Sequence, residues 1–401
     1  VDLLQPIIKP YAWGSREALA RLQGRVSPSP GPEAELWMGA HPAGPSVLVR
    51  DGRTRTLTDV VSEAPERELG AECVARFRSR LPFMLKVLAA EQPLSIQVHP
   101  DRRQAEAACK SQAGEGAPDG PYADDWPKPE LLCALSPFEV LAGFRTREEA
   151  AAVLDGLGLV DIAPVTALLT AGTDDSALTR ALRTLLEWPA DRQGAFVAAV
   201  VDACAVKADE PGAYADAYGA VVRMAEHHPG DLGLVASLLM RHQVVDMGQA
   251  LYMPAGGLHA YVRGFGVEVM AASDNVLRAG LTSKAVNVPE LLRIVDPTVR
   301  VPVVKPRTVD GNPRTEIFDC PAEEFALFRT AVTAEAVPLL PPVGPRVALC
   351  AAGEALLRGS GGEVLGLRAG ASCFLPDSDR GITVEGAGIL FVAGTGFQAH
   401  L

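Results

Sequence analysis

The chain has 401 residues, 48% hydrophobic and 21% charged, enough for two or three globular domains whose cores need no disulfide or structural metal. Its net charge of −12 argues against a nucleic-acid partner or adhesion to anionic lipid, while leaving room for a local Lys/Arg cluster that holds a phosphorylated small molecule. The seven cysteines include no C-x-x-C pair, there is no secretory leader pattern, and no uncharged apolar run reaches the ~18 residues of a membrane span; reduced thiols, a cytoplasmic location and a monomer are expected.

Three textures follow one another. Residues 1 to about 145 carry short apolar runs between Pro and Gly, such as P-S-V-L-V-R at 45–50 and P-F-M-L-K-V-L at 82–88, and read as strands. From 146 to about 243 apolar residues recur three and four apart, as in A-L-T-R-A-L-R-T-L-L-E-W at 177–188, which predicts packed amphipathic helices. Strand texture returns from about 244 to the end, with G-S-G-G-E-V at 359–364 as a hairpin turn rather than a phosphate loop, because no Lys-Ser/Thr follows the glycines. The fold class expected is mainly β with an α insertion.

Four segments carry chemistry. In P-L-S-I-Q-V-H-P at 93–100, strand alternation puts Ser95, Gln97 and His99 on one face and Leu94, Ile96 and Val98 on the other. An imidazole and an amide two residues apart can reach one ion of the zinc type, although a solvated edge strand would show the same pattern. In Y-A-D-D-W-P-K-P-E at 122–130, prolines stiffen the backbone around Lys128. Glu130 then enters an apolar strand, where a carboxylate needs a cation or a metal; ordinary loop charges are the alternative. In G-Q-A-L-Y-M-P-A-G-G-L-H at 248–259, Gly248, Pro254, Gly256 and His259 fit a G-x5-P-x-G-x2-H frame that turns His259 inward and resembles the second motif of cupins, small jelly-roll barrels that carry a metal inside.

The fourth segment, H-A-Y-V-R-G-F-G-V-E-V-M-A-A-S-D-N-V-L-R-A-G-L-T-S-K at 259–284, resembles the signature of type I phosphomannose isomerases, with Ser283 where that family has Pro. Y-A-W-G-S at 11–15, E-L-W-M-G-A-H-P at 35–42 and the segment ending in Lys128-Pro129-Glu130 resemble the same family. The resemblance implies tandem jelly-roll (cupin) barrels plus a helical domain. Residues 1–145 and 244–310 would be the catalytic cupin, 146–243 the helical insertion, and 311–401 a metal-free cupin-like unit. It implies one zinc per chain on Gln97, His99, Glu130 and His259, a catalytic Arg278, and Ser95, Lys128 and Lys284 around a sugar phosphate. The implied reaction interconverts mannose 6-phosphate and fructose 6-phosphate through a cis-enediol. Glu268, Asp274 and Lys128 are the candidate bases.

One departure weighs on activity. Trp126-Pro127 stands where the family has Asn-His, and that His is a ring-opening candidate. A metal-bearing cupin that binds a sugar phosphate without turnover, or an isomerase of another aldose, is therefore an alternative. In G-A-S-C-F-L-P-D-S-D-R-G at 370–381, Gly370 and Pro376 echo Gly248 and Pro254, with Ser378 and Gly381 in place of Gly256 and His259. His227-His228 reads as a helix C-terminal region, and His41, His242 and His400 as isolated.

Overall fold

A computed structural model describes residues 1–115, 120–172 and 174–399; His400 lies outside them. Among the described residues the strands form antiparallel sheets of eleven, nine and two strands. The eleven-stranded sheet runs from Ile7–Lys9 to Val303–Val304, and the nine-stranded sheet takes the strands from Arg307–Val309 onward. The N-terminal strand Asp2–Leu4 crosses over to the second sheet and pairs with Ser372–Leu375.

The helical texture forms helices from Arg147–Asp155 to Gly233–Ala236. The first opens on a capping box in which the Thr146 side chain accepts from Glu149 N–H and the Glu149 carboxylate accepts from Thr146 N–H, satisfying donors that a helix start leaves free. In Ser176–Leu186 the buried residues are Ala177, Leu178, Ala181, Leu182 and Leu185, one stripe at helical spacing. The flanking strands Phe138–Phe144 and Met240–Val245 pair with each other, Phe144 opposite Met240 and Phe138 opposite Val245. The helices thus interrupt a β-hairpin. One apolar cluster joins Val153, Leu182 and Val221 of the helices to Ile96, Val98 and Leu277 of the sheet and to Leu258 just before the strand His259–Ala271, so the insertion is packed onto the strands that carry the polar motifs.

The echo in the C-terminal sequence has a structural counterpart. Gly248, at φ +89°, precedes the strand Ala250–Met253, then Pro254 and the long strand His259–Ala271. Gly370, at φ +81°, precedes Ser372–Leu375, then Pro376 and the long strand Thr383–Gly394. Both turns need a left-handed residue, which glycine supplies without a Cβ penalty. The 359–364 turn joins Arg346–Arg358 to Val364–Arg368 as a hairpin. All seven cysteines are free thiols, and burial pushes those of Cys133 and Cys204 up to about 12, so they pack as small apolar residues. Among the described residues no helix is long and apolar enough to cross a membrane.

Candidate metal centre

Three strands bring the centre together. Ile96–Val98 pairs with the start of His259–Ala271, placing Gln97 opposite His259, and with Leu277–Gly280, placing Gln97 opposite Arg278. Glu130 opens the strand Glu130–Ala134 between two neighbours, opposite Met253 on one side and Met270 on the other. The Pro254–Gly257 turn closes the gap: Gly256 N–H donates to the His99 carbonyl at 2.9 Å. Gly256 sits at φ +77°, and a Cβ there would meet the Asp296 side chain at 3.2 Å, so the backbone requires the glycine of the G-x5-P-x-G-x2-H frame and the space around it is tight.

His99, Glu130 and His259 form a buried group whose ligand atoms all lie within 4.8 Å of one another. Glu130 Oε2 is 3.4 Å from His99 Nε2 and 3.3 Å from His259 Nε2. These three atoms are buried and make no hydrogen bond, a state that costs free energy unless a further group satisfies them. The opposite ring nitrogens are occupied. His99 Nδ1–H donates to the Asn275 carbonyl at 2.7 Å and His259 Nδ1–H to the Gly257 carbonyl at 3.0 Å. A carbonyl only accepts, so each Nδ1 carries a proton and each Nε2 is the atom turned to Glu130, the arrangement a metal ligand needs. Burial lowers the His99 imidazole to about 4, keeping it neutral. Burial alone would raise the Glu130 carboxyl, but the Lys128 ammonium at 2.9 Å, together with His99 and His259, outweighs it and holds the group well below the usual carboxylate range. Two imidazoles and a carboxylate fit zinc, and Gln97 is paired opposite His259 in the ladder.

The Trp126-Pro127 departure has a structural role here. Trp126 is buried, its indole against Phe77 at 5.8 Å. Its carbonyl accepts from Asn275 Nδ2 at 2.8 Å and from Ser273 Oγ at 3.2 Å, so the dipeptide anchors the residue that orients His99.

Through Glu130 the group borders a cavity of about 900 Å³ lined by Ser95, Gln97, Lys128, Glu130, Glu268, Asp274, Arg278 and Lys284, with His99 and His259 buried and not among the lining residues. Lys128 is spent on Glu130. Arg278 and Lys284 have no carboxylate partner among the described residues, and burial lowers Arg278 from its ordinary value without removing its charge. Asp274 is half exposed, with Oδ2 3.2 Å from His41 Nε2. That hydrogen bond, working against burial, lowers the Asp274 carboxyl.

Glu268 is buried and tightly held. Tyr261 Oη–H donates to its Oε1 at 2.6 Å, and Lys86 Nζ pairs with its Oε2 at 3.0 Å. Burial weighs against charge on Lys86, but Glu268 and Glu35 outweigh it and keep the ammonium protonated. Trp37 Nε1–H donates to Glu35 at 2.6 Å. Burial pushes the Glu268 carboxyl up. Removing one partner from such a buried pair costs ~3–5 kcal/mol.

Sequence reasoning missed Lys86, Glu35, Tyr261, Asn275 and His41. The signal for Lys86 was a single charge inside P-F-M-L-K-V-L, a strand buried along its whole length; a lysine there demands a carboxylate partner. His41 is buried and joined to Asp274 rather than isolated, and His242 pairs with Glu139 at 2.7 Å. His227 and His228 both line the cavity, which a helix-end reading did not suggest.

Comparison with known proteins agrees with this geometry. Residues 2–147 match the family model of the phosphomannose isomerase type I catalytic domain. The mannose-6-phosphate isomerase of Escherichia coli (strain K12) is 34% identical over 389 residues, 96% of each chain. That of Homo sapiens is 31% identical over 348 residues, 81% of this chain and 80% of its own. A zinc-bound crystal structure of mannose 6-phosphate isomerase has a TM-score of 0.88 at 30% identity, over 98% of this chain and 99% of that one. With a third of its residues shared along nearly its whole length, the chain belongs to the type I phosphomannose isomerase family.

Proposed function

We propose that the chain is a zinc-dependent aldose–ketose isomerase that interconverts mannose 6-phosphate and fructose 6-phosphate. One observation carries the reading: the buried, unbonded ligand atoms of His99, Glu130 and His259 gather within 4.8 Å of one another, and Glu130 lines a cavity whose wall also holds Arg278 and Lys284, cations without a carboxylate partner among the described residues. The relatives' names supply the substrate.

Gln97, His99, Glu130 and His259 would hold the zinc. When bound, it supplies Lewis acidity to the sugar oxygens at C1 and C2. The reaction moves a hydrogen from C2 to C1 and a hydroxyl proton from O2 to O1, so that the carbonyl passes from C1 to C2 with no net change in electrons. Glu268 takes the C2 proton and returns it to C1; a buried carboxyl pushed upward is a better base than an exposed one, and Tyr261 and Lys86 fix its direction. Arg278 stabilises the negative charge of the enediolate stage, because a guanidinium stays protonated. Lys128 holds Glu130 and faces the sugar, while Ser95 and Lys284 receive the phosphate. Pro127 cannot open the ring, and Asp274, a half-exposed carboxylate on the wall beside His41, would relay the proton from the O1 hydroxyl to the ring oxygen.

The division into 1–145 with 244–310, 146–243 and 311–401 is part of this reading. It is supported by the helices set between two paired strands and by Gly381 standing at the repeat position of His259. So is a monomeric cytoplasmic enzyme, its location supported by seven free thiols.

Arg278→Ala tests the reading. Turnover of mannose 6-phosphate in a coupled assay should fall by about 10²-fold, as for loss of one transition-state donor, with zinc content unchanged. Unaltered turnover would remove Arg278 from the mechanism.

A further inference from the structure

The helical insertion ends at the cavity. Past the helix Ala215–Ala225, the turn of His227, His228, Pro229 and Gly230 leads to Asp231 and the short helix Gly233–Ala236. His228 Nε2–H donates to the Pro93 carbonyl at 3.2 Å, two residues from Ser95. Asp231 makes the second tie. Its Oδ1 accepts from Gly233 N–H at 2.6 Å, and its Oδ2 accepts from Thr282 N–H at 3.0 Å. Thr282 Oγ1 in turn accepts from Lys284 N–H at 3.1 Å.

The contact is close as well as polar. A Cβ on Gly280 would meet Gly233 Cα at 2.4 Å, and a Cβ on Gly233 would meet Leu281 N at 2.6 Å. Between these glycines and Thr282, Leu281 stands at φ +52°, a left-handed conformation that costs a non-glycine residue energy and persists only where the surroundings enforce it. Charge-assisted bonds to a carboxylate are the strong kind, and Asp231 places one at the next residue.

We propose that Asp231 is a positioning residue for the phosphate side of the cavity: from the insertion's closing turn it fixes the Leu281–Lys284 loop, so that Lys284 presents its ammonium to the phosphoryl group. The inference rests on the proposed reading of Lys284 as a phosphate contact. It assigns the helical insertion a part in substrate recognition: the insertion sets the affinity for the phosphoryl group and leaves the proton transfer to the strands.

Inorganic phosphate, as a competitive inhibitor, is the probe for that side alone. For Asp231→Ala we expect its inhibition constant and the KM for mannose 6-phosphate to rise together by about ten-fold, the scale of one hydrogen bond to a charged group. The kcat should stay within about three-fold, marking lost binding rather than lost catalysis, with zinc content unchanged. Asp231→Asn, which keeps one accepting oxygen, should give a smaller rise in both constants and guards against a variant that fails to fold. Lys284→Ala is the reference and should raise both constants. An unchanged phosphate constant in folded, zinc-loaded Asp231 variants, beside a raised one in Lys284→Ala, would overturn the role of Asp231 alone. An unchanged constant in all three variants would overturn the phosphate assignment and the inference with it. A fall in kcat at constant phosphate affinity would reduce Asp231 to a structural tie.

Discussion

Replacing His259 by alanine is expected to yield a folded protein that purifies without stoichiometric zinc and has no measurable isomerase activity. The strand His259–Ala271 runs on through the core with Val267 and Val269 buried, so the change leaves the ladder intact. What it removes is one of two imidazoles facing Glu130, together with the Nδ1–H bond to Gly257 that aims it. Loss of an outer partner of a metal ligand costs ~10–100-fold in affinity, and loss of the ligand itself should exceed that range. Turnover should fall by more than 10³-fold, since no other group in the cavity supplies comparable Lewis acidity. Metal analysis and a coupled assay read the two effects separately. One zinc per chain in the variant would show that His259 is not a ligand.

Glu268→Gln is expected to leave zinc in place and lower kcat by about 10³-fold, within the range for a positioned general base. The amide is nearly isosteric and can still accept from Tyr261, so the cavity keeps its shape. It cannot take the C2 proton. The change also leaves Lys86 with Glu35 as its remaining carboxylate, at 3.7 Å, so some loss of stability accompanies the loss of activity. KM should change little, because the loss is of a transition-state interaction. A kcat within a few-fold of the parent would move the base to Asp274 or Lys128.

Much of the site was legible because its information is local. The Gly248–Pro254–Gly256–His259 frame describes a turn that only those residue types form, and its geometry follows from Gly256 being left-handed and tightly packed. Strand parity put Ser95 and Gln97 on one face, and both line the cavity. The helical insertion announced itself by the period of its apolar residues. The unread part is tertiary. Lys86 pairs with Glu268 far along the chain, Asp124 and Trp126 clamp Asn275 from another segment, and Asp231 reaches Thr282 only because the insertion's closing helix packs on the strand Leu277–Gly280. Periodicity states which face of an element is apolar and not what packs on it. Trp126-Pro127 illustrates the same limit: by resemblance it is a lost histidine, and in three dimensions it is a buried clamp on the residue that orients His99.

The most direct test of the central claim measures zinc content and isomerisation of mannose 6-phosphate on the same preparation, before chelation, after it, and after zinc is restored. The account predicts one zinc per chain with turnover, loss of both on chelation, and recovery of both on adding zinc. Full turnover by the chelated protein, or none by protein holding one zinc per chain, would contradict it.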